Sequence, residues 1–117
     1  MEDESKKFFP LDQQKRQSAR LRMQLKGSCR ILERDQWIEC TILDVSTGGL
    51  YLEGAHSFYK GDKLEVKFYL EKRPVFCQVS ITNIQGRKAG GNFIKISDDD
   101  INYIRNLLHA TYFDTQK

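Results

Sequence analysis

Lys63-Leu64-Glu65-Val66-Lys67-Phe68-Tyr69-Leu70 carries an apolar side chain at every second position, with Leu64, Val66, Phe68 and Leu70 on one side and Lys63, Glu65, Lys67 and Tyr69 on the other. Successive side chains of a strand point to opposite faces, so a strict period of two marks a strand with one buried face. Working outward toward the C-terminus, Lys72-Arg73-Pro74 reads as a turn and Val75, Cys77, Val79 and Ile81 as the next strand. Gln85-Gly86-Arg87-Lys88 turns again, and Gly91-Asn92-Phe93-Ile94-Lys95-Ile96 is a sixth strand. Working toward the N-terminus, Gly54 and Gly61-Asp62 bracket a connection, and Leu50-Tyr51-Leu52 is a short strand. Ile38, Cys40 and Ile42 alternate in another, which a turn at Arg34-Asp35 joins as a hairpin to Met23, Leu25, Cys29 and Ile31.

After the sixth strand the period changes. Ser97 followed by Asp98, Asp99 and Asp100 is a helix start, a hydroxyl N-cap with carboxylates where the helix dipole favours them. Ile101, Ile104, Leu107 and Leu108 supply the apolar stripe, uninterrupted by Gly or Pro through Phe113. The expected fold is mainly β, a six-stranded antiparallel β-barrel with a C-terminal α-helix packed on or beside it. Residues 1–14 are polar, aperiodic and contain Pro10, and read as a flexible tail. Residues 15–113 form the domain and 114–117 a short C-terminal tail.

Composition narrows the classes. With 117 residues, 39% hydrophobic and 30% charged, the chain suits one small core and no membrane insertion. No apolar run approaches the ~18 residues of a spanning helix, and the start, MEDESKKFF, has no secretory signal, so a cytoplasmic location is expected. Cys29, Cys40 and Cys77 are an odd set without metal-ligand spacing, which reads as buried small hydrophobes rather than a disulfide framework or metal site. His56 and His109 stand apart from any nucleophile, and no paired catalytic carboxylates can be placed, so an enzyme is not expected.

The net charge of +3 is unevenly distributed. Residues 1–14 carry −2, and the last 83 residues carry −1. Residues 15–34 carry +6, from Lys15, Arg16, Arg20, Arg22, Lys26, Arg30 and Arg34 against Glu33. A local surplus of this kind suits an anionic partner held at one place, and equally a solvated face. Within it, Arg16-Gln17-Ser18-Ala19-Arg20 sets two guanidiniums four residues apart just before the first strand. A guanidinium fork matches phosphate oxygens and the O6/N7 edge of guanine. A second motif, Asp44-Val45-Ser46-Thr47-Gly48-Gly49, lies in the turn between two strands. Its carboxylate can accept from a guanine N1–H and N2–H2 edge and its hydroxyl can add a contact, although an Asx or Ser turn explains the same residues.

In order and strand context, R-x-x-x-R followed two strands later by D-x-S-x-x-G, with Gly61-Asp62 and Gly91-Asn92-Phe93 beyond, resembles the PilZ domain family over about residues 15–110. The resemblance implies a barrel that receives cyclic di-GMP as a ligand, with no other cofactor. It implies that Arg16 and Arg20 clasp phosphate and guanine from an N-terminal loop, and that Asp44, Ser46 and Gly49 contact the nucleotide from the barrel. Lys15 falls at a position associated with one ligand or a stacked pair, and Arg22, Gly48 and Gly91 are further candidates. Because the two anchors lie on separate segments, binding is expected to order the loop against the barrel and to signal to a separate, unidentified protein effector. Two other readings stay open: a protein-interaction module of the same fold without ligand, and a small barrel binding single-stranded nucleic acid through the basic stretch and aromatics such as Trp37 and Tyr69. The confinement of the charge to one short segment disfavours the nucleic-acid reading.

Overall fold

The computed structural model describes residues 20–32, 34 and 36–111. Along the chain run β1 (Leu21–Ile31), β2 (Ile38–Val45), β3 (Gly49–Gly54), β4 (Lys63–Leu70), β5 (Arg73–Gln85), β6 (Lys88–Lys95) and one helix, α1 (Asp98–His109). All strand pairings are antiparallel, and the order β1-β2-β3-β6-β5-β4 closes into a barrel. β1 achieves the closure by pairing with β2 from Leu21 to Cys29 and with β4 from Gly27 to Ile31. Closure leaves no sheet edge open to a further strand.

The interior is the apolar half of each alternation. Cys29, Cys40, Ile42, Val45, Leu50 and Leu52 are buried, as are the even-numbered residues of β4 from Leu64 to Leu70 and the odd-numbered residues of β5 from Val75 to Ile81. Phe58 from the β3–β4 connection and Ile104 and Leu108 from α1 complete this core. Burying each large aliphatic side chain contributes about 1.5–3 kcal/mol. All three cysteines are buried free thiols inside it. Among the described residues no helix is long and apolar enough to cross a membrane.

Several boundaries differ from those expected. The β4–β5 turn is Glu71-Lys72, and Arg73 and Pro74 already belong to β5, with Leu70 paired to Arg73. Both turn residues have positive φ, 53° and 71°, the geometry of a two-residue hairpin whose twist matches its strands. Neither is the Asn or Gly that usually marks such a turn, so the sequence pointed to the proline instead. β6 starts at Lys88 rather than Gly91, and β5 runs on to Gln85. A register shift between Ile81 and Asn83 lets that strand continue past its break in alternation. The helix ends at His109, short of Phe113, which lies outside the described residues, as do the two tails at 1–14 and 114–117.

The Ser97 hydroxyl accepts the Asp100 N–H at 3.1 Å, as an N-cap should. Asp100 does more than complement the helix dipole. It is buried and takes a hydrogen bond at 3.0 Å from the Arg73 guanidinium, which also lies 5.1 Å from the centre of the Tyr103 ring. Tyr103 in turn donates to Glu71 at 2.8 Å. Three contacts thus pin the start of α1 to the β4–β5 hairpin.

Candidate functional site

Asp44 and Val45 are the last two residues of β2, not part of a turn, and only Ser46-Thr47-Gly48 make the connection to β3. A register shift between Ile42 and Asp44 lets Val45 point into the core. The Asp44 carboxylate is left beside the barrel mouth, its side chain 16% exposed. The Ser46 hydroxyl accepts the N–H groups of Gly48 and Gly49, each at 3.2 Å, and donates to the Gly49 carbonyl at 3.3 Å. The Ser-turn reading of this motif is therefore correct as local structure: Ser46 holds the shape of the connection.

The turn forms one wall of a cleft of about 310 Å³, at the small end of the range for ligand sites. Arg20, Asp44, Ser46, Gly48, Gly49 and Gly91 all line it. Six of the nine residues singled out from sequence therefore converge. Arg22 does not line the cleft but sits directly across from Asp44 in the β1–β2 register. Lys15 and Arg16 lie outside the described residues.

Electrostatics at the cleft centre on Asp44. Burial pushes its carboxyl above the ordinary aspartate value, while the Arg20 and Arg22 charges pull it back down. The Arg20 guanidinium stands 3.8 Å from the carboxylate with 55% of its side chain exposed. At that distance, with the guanidinium side largely in solvent, this pair contributes little to stability.

Glycines floor the cleft. Gly49 of β3 faces Asn92 of β6, and a Cβ on Gly49 would come within 1.9 Å of the Gly91 carbonyl oxygen, so only glycine fits this seam. Gly48 is different. It has no positive φ, a Cβ there would meet nothing within 4 Å, and its carbonyl accepts from the Phe93 N–H at 2.9 Å. Nothing in the fold requires glycine at 48.

Sequence reading missed Tyr51, Thr82, Asn83, Gly90 and Asn92, which also line the cleft. Tyr51 donates to Gln85 at 3.1 Å, Thr82 donates to the Gly90 carbonyl at 3.3 Å, and a Cβ on Gly90 would touch the Asn83 amide at 3.0 Å. A signal for two of them was present. Thr82-Asn83 puts adjacent polar residues into an alternating strand, which marks a bulge, and bulges often re-aim side chains at sites. Among the described residues no group of His, Cys, Asp and Glu could hold a metal ion.

The family model for the PilZ domain matches residues 14–110. No curated protein matches the sequence. Among solved structures, the Bacillus subtilis inhibitor of motility, MotI/DgrA, superposes with a TM-score of 0.71 at 16% identity, covering 85% of this chain and 52% of its own. The PilZ domain of CeSA from a cellulose-synthesizing bacterium superposes at 0.61 with 10% identity, covering 80% of this chain and 98% of its own. Borreliella burgdorferi PlzA, solved in complex with c-di-GMP, superposes at 0.51 with 16% identity, covering 84% of this chain and 44% of its own. The chain thus spans about half the length of the first and less than half of the last, and at these identities the likeness is one of fold.

Proposed function

The chain belongs to the PilZ domain family, and on that premise we propose that it is a receptor for cyclic di-GMP. The observation that carries the proposal is the convergence of Arg20, Asp44, Ser46, Gly48, Gly49 and Gly91, from four separate strands or their flanks, on one cleft. Arg16 and Arg20 clasp phosphate and a guanine edge, Asp44 accepts from guanine N1–H and N2–H2, and the Ser46–Gly49 turn meets the nucleotide with hydroxyl and backbone. Gly48 supports this, because a glycine the fold does not need suits a backbone that a ligand approaches closely. Lys15, Arg22 and Gly91 add charge or surface at the rim. A dianion meets the +6 carried by residues 15–34 without reversing it.

The mechanism is an ordering of the segment before β1, residues 15–20, against the cleft, which changes the surface offered to a separate protein effector. The resemblance to a c-di-GMP complex supports the ligand, and the resemblance to an inhibitor of motility supports signalling through another protein. Calorimetric titration of the full chain with cyclic di-GMP tests it, using Arg16→Ala, Arg20→Ala and Asp44→Ala beside the wild type. Losing one charged anchor should cost about 1.5–3 kcal/mol, or about 10- to 150-fold in affinity. Ligand should also raise hydrogen-exchange protection over residues 15–20. A wild type that gives no heat and no competition ends the receptor reading.

A further inference from the structure

A second depression, of about 960 Å³, is bounded by residues of β1 to β5, of the β5–β6 turn and of α1, Lys26, Ser28, Lys67, Tyr69, Pro74 and Phe76 among them. Register places these side chains in adjacent rows: Ser28 beside Lys67, Lys67 beside Phe76, and Tyr69 beside Pro74. Tyr69 is 67% exposed and Phe76 52% exposed. Two large aromatics this open, side by side with a proline on a strand face, are an uncovered apolar patch, and such patches mark contact surfaces. They do not belong to the nucleotide cleft.

The chain itself carries an apolar cluster of the right kind. Residues 1–19 contain one uninterrupted apolar run, Phe8-Phe9-Pro10-Leu11, between Lys6-Lys7 and Asp12. The depression carries both signs around its aromatics, with Lys26 and Lys67 against Glu39 and Glu53, so either flank of the run can find an opposite charge. Distance allows the contact. Tyr69 lies opposite the middle of β1, roughly 20 Å from Arg20 at about 3.3 Å per strand residue, and Phe76, one strand further, lies roughly 28 Å away. The nine residues back from Arg20 to Leu11 can span roughly 30 Å, and the twelve to Phe8 roughly 40 Å. A segment on so short a connection acts at an effective concentration in the millimolar range.

We infer that Phe8-Phe9-Pro10-Leu11 docks on the Tyr69–Phe76 face of the same molecule and that ligand in the nucleotide cleft pulls it off. The second half rests on the receptor reading above; the first does not. If Arg16 is drawn to the cleft beside Arg20, only five residues remain to Leu11, or roughly 17 Å, and eight to Phe8, or roughly 27 Å. Leu11 then falls short of Tyr69, and no residue of the run reaches Phe76 comfortably. Phe8 and Phe9 still reach Tyr69, but the run loses Phe76, so binding and docking compete and ligand uncovers the Phe76 side of the aromatic face for a partner.

The test uses the full chain and amide NMR without ligand, comparing wild type with a Phe8→Ser/Phe9→Ser/Leu11→Ser variant and with Phe76→Lys, an exposed position that leaves the core intact. The triple variant should shift resonances of residues 26–28, 67–69 and 74–76, and Phe76→Lys should shift those of residues 8–11. Groove resonances that ignore the triple variant overturn the docking. Shifts that fade on dilution with a dimer in sedimentation also overturn it, in favour of a second copy as occupant. With cyclic di-GMP added, groove resonances should move toward those of the triple variant. Phe76→Lys, freed of the competing contact, should bind ligand more tightly, by up to about tenfold if nine molecules in ten are docked. Ligand that binds while the groove stays unchanged overturns the competition, whereas no ligand binding at all sinks the receptor reading and leaves the docking to the first arm.

Discussion

Replacing Gly49 with alanine should unfold the barrel at one seam, while the same change at its neighbour Gly48 should leave stability unaltered. The new methyl at 49 would sit 1.9 Å from the Gly91 carbonyl oxygen, 2.9 Å from its carbon and 3.0 Å from Asn92 Cα. All three are backbone atoms, so no side chain can rotate away. An ordinary carbon–oxygen contact needs about 3.2 Å, which means β3 and β6 must separate by roughly 1.3 Å there. Overpacking costs about 1–3 kcal/mol. Parting the strands also weakens the bond that the Gly48 carbonyl accepts from Phe93, at about 1 kcal/mol. A loss of about 2–4 kcal/mol follows, which at about 4 °C per kcal/mol lowers the midpoint by roughly 8–16 °C. Urea denaturation of the three proteins measures it. A Gly49→Ala protein within about 0.5 kcal/mol of wild type would refute the packing argument, a margin set well below the smallest predicted loss of about 2 kcal/mol. Gly48→Ala, equally stable, should lose affinity for cyclic di-GMP if ligand approaches the turn backbone.

Other outcomes follow from single contacts. Because burial raises the Asp44 carboxyl above its unfolded value, ionising it opposes folding; that cost is present at neutral pH and disappears as pH falls through the folded value. Asp44→Asn should therefore match or exceed wild-type stability at pH 7, the difference closing in acid, yet lose ligand in calorimetry. Asp100→Asn breaks the partly buried pair with Arg73 at 3.0 Å and should cost about 1–2 kcal/mol in urea, discounted because the Arg73 side chain is 38% exposed. The Cys40 thiol is pushed up by its hydrogen bond with Cys29 and then by burial, and the Cys77 thiol by burial to about 12. Iodoacetamide at pH 8 should leave both unlabelled in the folded protein and label them in urea; fast native labelling of either would contradict the closed core.

Much of the barrel was legible because a period of two leaves a direct mark wherever one face is buried. Leu64 through Leu70 and Val75 through Ile81 were assigned to the correct face, residue by residue, and the Ser97 cap was found from its hydroxyl and the acids behind it. Where the structure departs, a bulge or an unmarked turn intervenes. The shift at Asp44 and the one between Ile81 and Asn83 interrupt alternation without ending a strand. The Glu71-Lys72 turn has the backbone of Asn-Gly without its residues.

Sequence by itself determined the strand faces, the helix start and, through two motifs, which side chains to inspect, since each depends on neighbours a few positions apart. Tertiary structure alone decided that Arg20, Asp44 and Gly91 share a cleft, because that depends on β3 pairing with β6 across 35 to 43 residues of chain. It also decided that Thr82, Asn83 and Asn92 join them, and that Gly49 rather than Gly48 is demanded by packing. Arg73 and Asp100 looked like a turn residue and a cap residue until the fold set them together. Local order is written in spacing, whereas a site assembled from distant strands exists only once the barrel has closed.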